Sequence, residues 1–176
     1  ALVAMSGGVD SSVALYLTQK AGYECIGVTM KLFDGEKECA SKKSCCSLSD
    51  VEDARSVAVK FDIPFYVFDY REEFKNTVID KFILEYKNGN TPNPCIDCNH
   101  YMKFQHLYQQ ARQLGCDVIV TGHYARVIYR EENREYELHS GIDGKKDQSY
   151  VLFSLNQEQL KHTFFPLGEY TKDEIR

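Results

Sequence analysis

The sequence predicts an α/β domain, a parallel β-sheet with helices on both faces and a β-hairpin near the C-terminal end. Three observations lead there. The chain opens on a short apolar run, Ala1–Met5, followed at once by a glycine-bearing turn and an apolar-periodic segment (Val13, Ala14, Leu17). Strand-like and helix-like segments then alternate as far as Val120. From Tyr124 the pattern changes to two strand-like runs around a polar turn.

Taken in order, Cys25–Leu32 reads as a second buried strand, and Asp34–Ser44 as a polar, lysine-rich surface loop. Ser49 and Glu52 have capping-box spacing and open a helix to about Phe61, with Val51, Ala54, Val57 and Ala58 inward. Phe65–Asp69 is a third strand. Glu72–Asn88 is a long amphipathic helix whose stripe of Phe74, Val78, Phe82 and Tyr86 faces the core. Gly89–Cys98 is a loop with two prolines, Tyr101–Leu114 is helical, and Cys116–Val120 is a fourth strand ending in Thr121-Gly122-His123. Ala125–Tyr129 and Tyr136–Ser140 form the hairpin, Gly141–Gln148 is a charged loop, and Asn156–Lys161 is a short helix. Thr171 and Glu174 announce a last helix that the sequence does not finish, so a longer protein is expected.

A chain of 176 residues suits one domain with a real core. Its 43% hydrophobic and 27% charged content is that of a soluble globular protein. No apolar run approaches the about 20 residues that span a bilayer, and no basic leader is present, so a cytoplasmic protein without membrane contact is expected. A net charge of −5 argues against a generic nucleic-acid binder and confines any such contact to a local patch. Seven cysteines cannot all pair with one another, and in a reducing compartment grouped cysteines point to metal or sulfur chemistry.

Two segments carry chemistry. In Ser6-Gly7-Gly8-Val9-Asp10-Ser11-Ser12 the glycines let the backbone approach a ligand, and helix-start N–H groups face an anion. Ser6, Ser11 and Ser12 add hydroxyls. The Gly-Lys-Ser/Thr ending of the kinase-type phosphate loop is absent, since no lysine occurs before Lys20. The plain alternative is that Asp10 or Ser11 merely caps the helix. The segment resembles the Ser-Gly-Gly-x-Asp-Ser pyrophosphatase loop of ATP α-hydrolases, which cut ATP between the α and β phosphates. The second segment is Thr91-Pro92-Asn93-Pro94-Cys95-Ile96-Asp97-Cys98-Asn99, a Cys-x-x-Cys pair placed just before a helix, where thiolates are favoured. The spacing leaves open catalytic sulfur chemistry, a zinc or iron–sulfur role, and two ordinary cysteines. Cys45-Cys46 read as bystanders, Cys25 and Cys116 as core residues, and His123 as either a phosphate contact or a structural residue.

Together with Gly27–Lys31, Cys46–Arg55, Lys103-Phe104, Thr121–Ala125, Lys146–Tyr150 and Phe165–Gly168, these segments resemble the tRNA-specific 2-thiouridylases across essentially the whole chain. The resemblance implies an adenine nucleotide α-hydrolase-like, Rossmann-like fold. Residues 1–176 would be the ATP pyrophosphatase domain, with tRNA-binding and β-barrel-like parts beyond residue 176. It implies that ATP adenylates the C2 oxygen of a wobble uridine, that sulfur from a persulfide on a later cysteine attacks C2, and that AMP leaves. By match, Ala4, Met5, Ser6, Gly7, Gly8, Val9, Asp10, Ser11, Met30 and Gly122 would contact ATP. Asn93, Pro94 and Cys95 would approach the base, and Lys146, Asp147 and Gln148 would contact tRNA. Cys98 would be the nucleophile. Asp10 would help hold Mg²⁺. A sulfur-donor protein is the implied partner. Where this chain has Cys95 the commoner family form has Asp, and Cys95, Cys98 and the later cysteine could together hold a [4Fe–4S] cluster. The alternatives are an amidating synthetase with the same loop, a non-catalytic ATP-binding module, and a zinc-stabilised binding module.

Overall fold

The computed structural model describes residues 1–33 and 48–176. Five strands, β1 (Leu2–Ala4), β2 (Ile26–Lys31), β3 (Phe65–Asp69), β4 (Ile119–Val120) and β7 (Thr163–Phe164), form one parallel sheet in the order β3-β2-β1-β4-β7. β5 (Ala125–Arg130) and β6 (Glu135–Ser140) form the expected antiparallel hairpin. The helices are α1 (Val9–Lys20), α2 (Leu48–Lys60), α3 (71–87), α4 (94–113), α5 (Gln157–Lys161) and α6 (Lys172–Ile175).

The short first strand is the centre of the molecule. Leu2 and Val3 are fully buried and point to opposite faces, as successive strand residues must. On one face Leu2, Val28 and Met30 pack with Phe74 and Val78 of α3 and with Met102, Leu107 and Ala111 of α4. On the other, Val3 and Met5 pack with Ala14 and Leu15 of α1, Ala54 and Ala58 of α2, and Leu167 and Ile175. Each such aliphatic side chain contributes about 1.5–3 kcal/mol on burial. A third cluster (Phe104, Ala125, Leu152, Leu160, Phe165) seats the hairpin region against α4 and α5.

From β1 the chain first moves outward through β2 and β3, then returns to place β4 on the other side of β1. In open parallel sheets a ligand crevice forms at such a reversal, beyond the carboxyl ends of the strands. Met5–Asp10 and Thr121–His123 leave the two strands that flank it.

Several element expectations need correction. α2 has already begun at Leu48, so Ser49 lies inside it and does not act as the N-cap. α4 starts at Pro94, not near Tyr101, because Asn93 caps it and Pro94 occupies the first turn, where a missing N–H costs nothing. Cys95 and Cys98 therefore sit in a helix, not in a loop before one. α3 contains a π turn, Lys75–Ile79, and α4 a π stretch, Cys98–His106. The π turn shifts the phase of α3, so Phe74 and Val78 are core while Phe82 is half-buried and Tyr86 is 68% exposed. β4 covers only two of the five residues expected, and β7 was not anticipated. The loop expected at Asp34–Ser44 and the Cys45-Cys46 pair lie outside the described residues. No helix among the described residues is long and apolar enough to cross a membrane.

Candidate active site

After β1 the backbone turns through Gly7 in the left-handed region, with φ of 74°. A Cβ there would lie 2.5 Å from the Asp50 carbonyl oxygen in α2, so conformation and room both call for glycine. Gly8 is the N-cap of α1 and makes no side-chain cap, which removes the plain reading of Asp10 or Ser11 as caps. The start of this twelve-residue helix is thus left to an incoming anion. Buried Ser11 donates its hydroxyl to the Gly8 carbonyl at 2.9 Å and accepts the Ser6 N–H at 3.2 Å. Ser12 donates to the same carbonyl at 3.0 Å. These two hydroxyl protons brace the loop, which presents backbone amides and the exposed Ser6, whose hydroxyl makes a long 3.4 Å hydrogen bond to Ser11 Oγ.

Gly122, after β4, closes the other side. A Cβ on it would stand 3.0 Å from the Asp10 carbonyl carbon and 3.1 Å from the Ser11 nitrogen, so the chain passes the start of α1 at the limit of contact.

α4 supplies the facing wall. The Asn93 carboxamide oxygen accepts the Cys95 N–H at 3.0 Å and fixes the helix start. Lys81 of α3 binds Asp97 at 2.7 Å and ties the two helices together. Cys95 is exposed and Cys98 half-buried. In a π stretch residues five apart stack one turn above another, which aligns Cys98 with Lys103.

The walls enclose a cavity of about 360 Å³. Ala4, Met5, Ser6, Asp10 and Ser11 line one side, Cys95, Cys98, Asn99 and Lys103 another, and the rest of the lining includes Met30, Thr121, Gly122, His123, Gln148 and Tyr150. Of the residues expected at the site, Ala4, Met5, Ser6, Asp10, Ser11, Met30, Gly122, Cys95, Cys98 and Gln148 meet here. Gly7, Gly8 and Val9 shape the loop without lining the cavity, and Asn93 and Pro94 organise the helix start beside it. Lys146 and Asp147 stand away from it. Asp147 accepts the Ser149 N–H and hydroxyl at 3.0 and 2.9 Å, and Gln148 exchanges hydrogen bonds of 3.1 Å with the Tyr124 backbone. Both side chains therefore hold their own loop in shape.

The charges are arranged by residues distant in sequence. One oxygen of the Asp10 carboxylate accepts the Tyr124 hydroxyl at 3.0 Å and the Lys172 ammonium at 2.5 Å. Burial and the nearby Asp10 raise the Tyr124 pKa well above its usual value, so this hydroxyl stays protonated and donates. Burial, helped by nearby Lys103, pushes the His123 pKa well below its usual value and keeps the ring neutral. Lys103 has only protons to offer and lies 3.5 Å from Nε2, so Nε2 is the acceptor and Nδ1–H donates to the Thr121 hydroxyl at 2.7 Å. Between the two expectations for His123, the geometry favours a structural residue that orients Lys103. The partners of Asp10, Tyr124 and Lys172, lie 114 and 162 residues away, and no local pattern in the sequence signals either. Lys103 stood in a matched segment with no role attached.

For a divalent cation, Asp10 offers a carboxylate whose second oxygen faces no partner named above. That fits Mg²⁺, which takes one or two carboxylates and finds its other ligands on substrate phosphates and water. No group of three or more His, Cys, Asp or Glu side chains among the described residues could hold a metal by itself. Among the described residues, Cys95 and Cys98 supply two thiols, short of the set an iron–sulfur cluster takes, and buried Cys25 and Cys116 are core residues elsewhere.

A family model described as the tRNA methyl transferase HUP domain matches residues 1–176. The chain is 54% identical over 175 residues to the tRNA-specific 2-thiouridylase MnmA of Clostridioides difficile, which covers 99% of this chain and 48% of that protein. It spans about half the length of the curated relatives it matches. Among solved structures it is similar to a glutamine-dependent NAD⁺ synthetase from Acinetobacter baumannii in complex with ADP (TM-score 0.55, 14% identity, 99% of this chain and 27% of that one). It is also similar to a predicted subunit of tRNA methyltransferase from Methanocaldococcus jannaschii (TM-score 0.50, 16% identity, 99% and 70%). At those identities the likeness is one of fold.

Proposed function

The chain belongs to the tRNA methyl transferase HUP domain family, and on that basis we propose that it is the nucleotide-binding, catalytic part of an ATP-dependent tRNA 2-thiouridylase. The observation that carries this reading is the shared cavity, where a capless helix N-terminus at the sheet's switch point faces a helix bearing Cys95 and Cys98. The 2-thiouridylases named among its relatives supply the reaction class.

In this reading the amides of the Gly7–Ser11 turn hold the β and γ phosphates, while Ala4, Met30 and Gly122 receive the adenosine. Asp10 would hold Mg²⁺, which would supply charge neutralisation on the pyrophosphate. The C2 oxygen of the wobble uridine attacks the α-phosphorus. An O–P bond forms, pyrophosphate departs toward the loop, and the amides there stabilise its charge. The terminal sulfur of the persulfide then attacks C2, the C2–O bond breaks and AMP leaves. Cys98 acts as the thiol nucleophile that attacks the inner sulfur of the resulting C2–S–S–Cys linkage. The S–S bond breaks, 2-thiouridine is released, and Cys98 forms a disulfide with the persulfide-bearing cysteine expected in later sequence, which an external thiol reductant reopens. A wobble base lies in a single-stranded loop, so it can be splayed into a cavity of this size, with Asn93, Pro94 and Cys95 at its approach. Lys146 serves as a phosphate contact, while Asp147 and Gln148 shape the loop that carries it. A cytoplasmic sulfur-donor protein completes the cycle.

The test uses the full-length protein with labelled ATP and a sulfur donor, with and without tRNA carrying an unmodified wobble uridine. AMP and pyrophosphate formed only with that tRNA are expected. Replacing Cys98 by Ala is expected to abolish thiolation while ATP binding remains. ADP as product, or AMP released regardless of tRNA, would overturn the assignment of substrate.

A further inference from the structure

Lys103 is the one cationic side chain that lines the cavity among the described residues. Asp10, the one carboxylate there among the described residues, already has the Lys172 ammonium on it. His123 is neutral and can only accept from Lys103. Among the described residues, the positive charge on Lys103 is therefore not balanced by any acid lining the cavity. Phe104 and Phe165 close around the His123 ring, at 6.3 and 5.9 Å between centroids, and shield this side of the site from water. A cation in a part-desolvated pocket, held by a neutral acceptor in place of a carboxylate, is arranged to meet an anion that arrives with the substrate.

Position says which anion. In phosphoryl and nucleotidyl transfer the attacking and leaving oxygens lie roughly in line through phosphorus. If the terminal phosphates lie on the loop wall, the nucleophile enters from the α4 wall, and the phosphoryl group between the two walls is the α-phosphate. Lys103 projects from α4, one π turn beyond Cys98. Resting on the nucleotide reading above, we infer that Lys103 binds the α-phosphate of the nucleotide. There it neutralises charge during adenylation and again on AMP as the C2–O bond breaks. Thr121 and His123 act as positioning residues that aim it.

The experiment compares AMP and adenosine binding by calorimetry in the full-length protein and its Lys103→Met, Lys103→Gln and Lys103→Arg variants, with thermal melting to confirm folding. The two uncharged variants are expected to lose at least tenfold in AMP affinity with adenosine affinity held within twofold, and the arginine variant to stay near wild type for both. Equal loss for AMP and adenosine, or no loss for either, in a folded variant would overturn the assignment and leave the nucleotide reading standing. If the methionine and glutamine variants fail to fold, the dependence of AMP affinity on salt in the wild-type and arginine proteins decides it. A wild-type AMP affinity insensitive to salt overturns the proposal. A wild-type protein that binds neither ligand would remove the nucleotide reading together with this one.

Discussion

Gly7 shows how much one residue controls. Its left-handed φ and the backbone of α2 against it leave no place for a side chain. Gly7→Ala is expected to cost about 1–2 kcal/mol from the φ alone, and more from the contact with Asp50. Calorimetric melting should show the loss, and ATP affinity should fall with it because the loop must move. At this scale the sequence was legible wherever chemistry and proximity coincide. The glycine–serine loop, Met30, Gly122 and Cys98 were all identifiable, and all but Gly7, Gly8, Val9 and Ser12 reach the cavity. The orientation of the Ser11 and Ser12 hydroxyls was not legible, since nothing in a one-dimensional pattern says whether a hydroxyl proton turns outward or back to Gly8. The Asp10 partners Tyr124 and Lys172 were invisible for a different reason, because only the folded sheet brings them to the loop.

At the scale of elements, the cysteine-bearing helix is the informative case. The two prolines were placed in a loop, yet Pro94 is the first residue of a helix capped by Asn93. Proline fits both roles, and only the Asn side chain decides between them. Asn93→Ala is expected to lower stability by about 1 kcal/mol. Because fraying begins next to Cys95 and Cys98, thiolation should drop more than ATP affinity, which single-turnover assays set beside nucleotide titration would reveal. The hairpin and strand β3 were readable from period alone, with β3 observed at the expected bounds. The π stretches were not, since a π turn differs from an α turn by less than one residue, too little to change the apolar pattern.

For the whole molecule, the alternation of strands and helices was enough to predict the parallel sheet and its two covered faces, but not the strand order or β7. A two-residue edge strand carries no periodicity, and its pairing with β4 is set by contacts across 44 residues (Ile119 with Thr163). Burial of His123 at the heart of this assembly gives a pH dependence. Its native pKa lies far below the ordinary value of 6.5, so below that pH the unfolded chain takes up a proton the native protein refuses. The stability due to the neutral ring is complete above about pH 6.5 and is lost at about 1.4 kcal/mol per pH unit as the pH falls. Melting temperatures recorded from pH 7 to 5 should fall less steeply for His123→Asn than for wild type. Parallel curves would place the acid sensitivity elsewhere.

The bond between Asp10 and Lys172 also sets an order of events during synthesis. The two residues are 162 positions apart. At ribosomal speeds of about 5–20 residues per second, the carboxylate waits roughly 10–30 s for its ammonium. Central strand β1 likewise waits for β4 to cover its second edge. The loop after β1 is thus made long before the residues that complete it. A nascent chain that stalls before Lys172 exposes an unfinished site to the cell's chaperones and proteases.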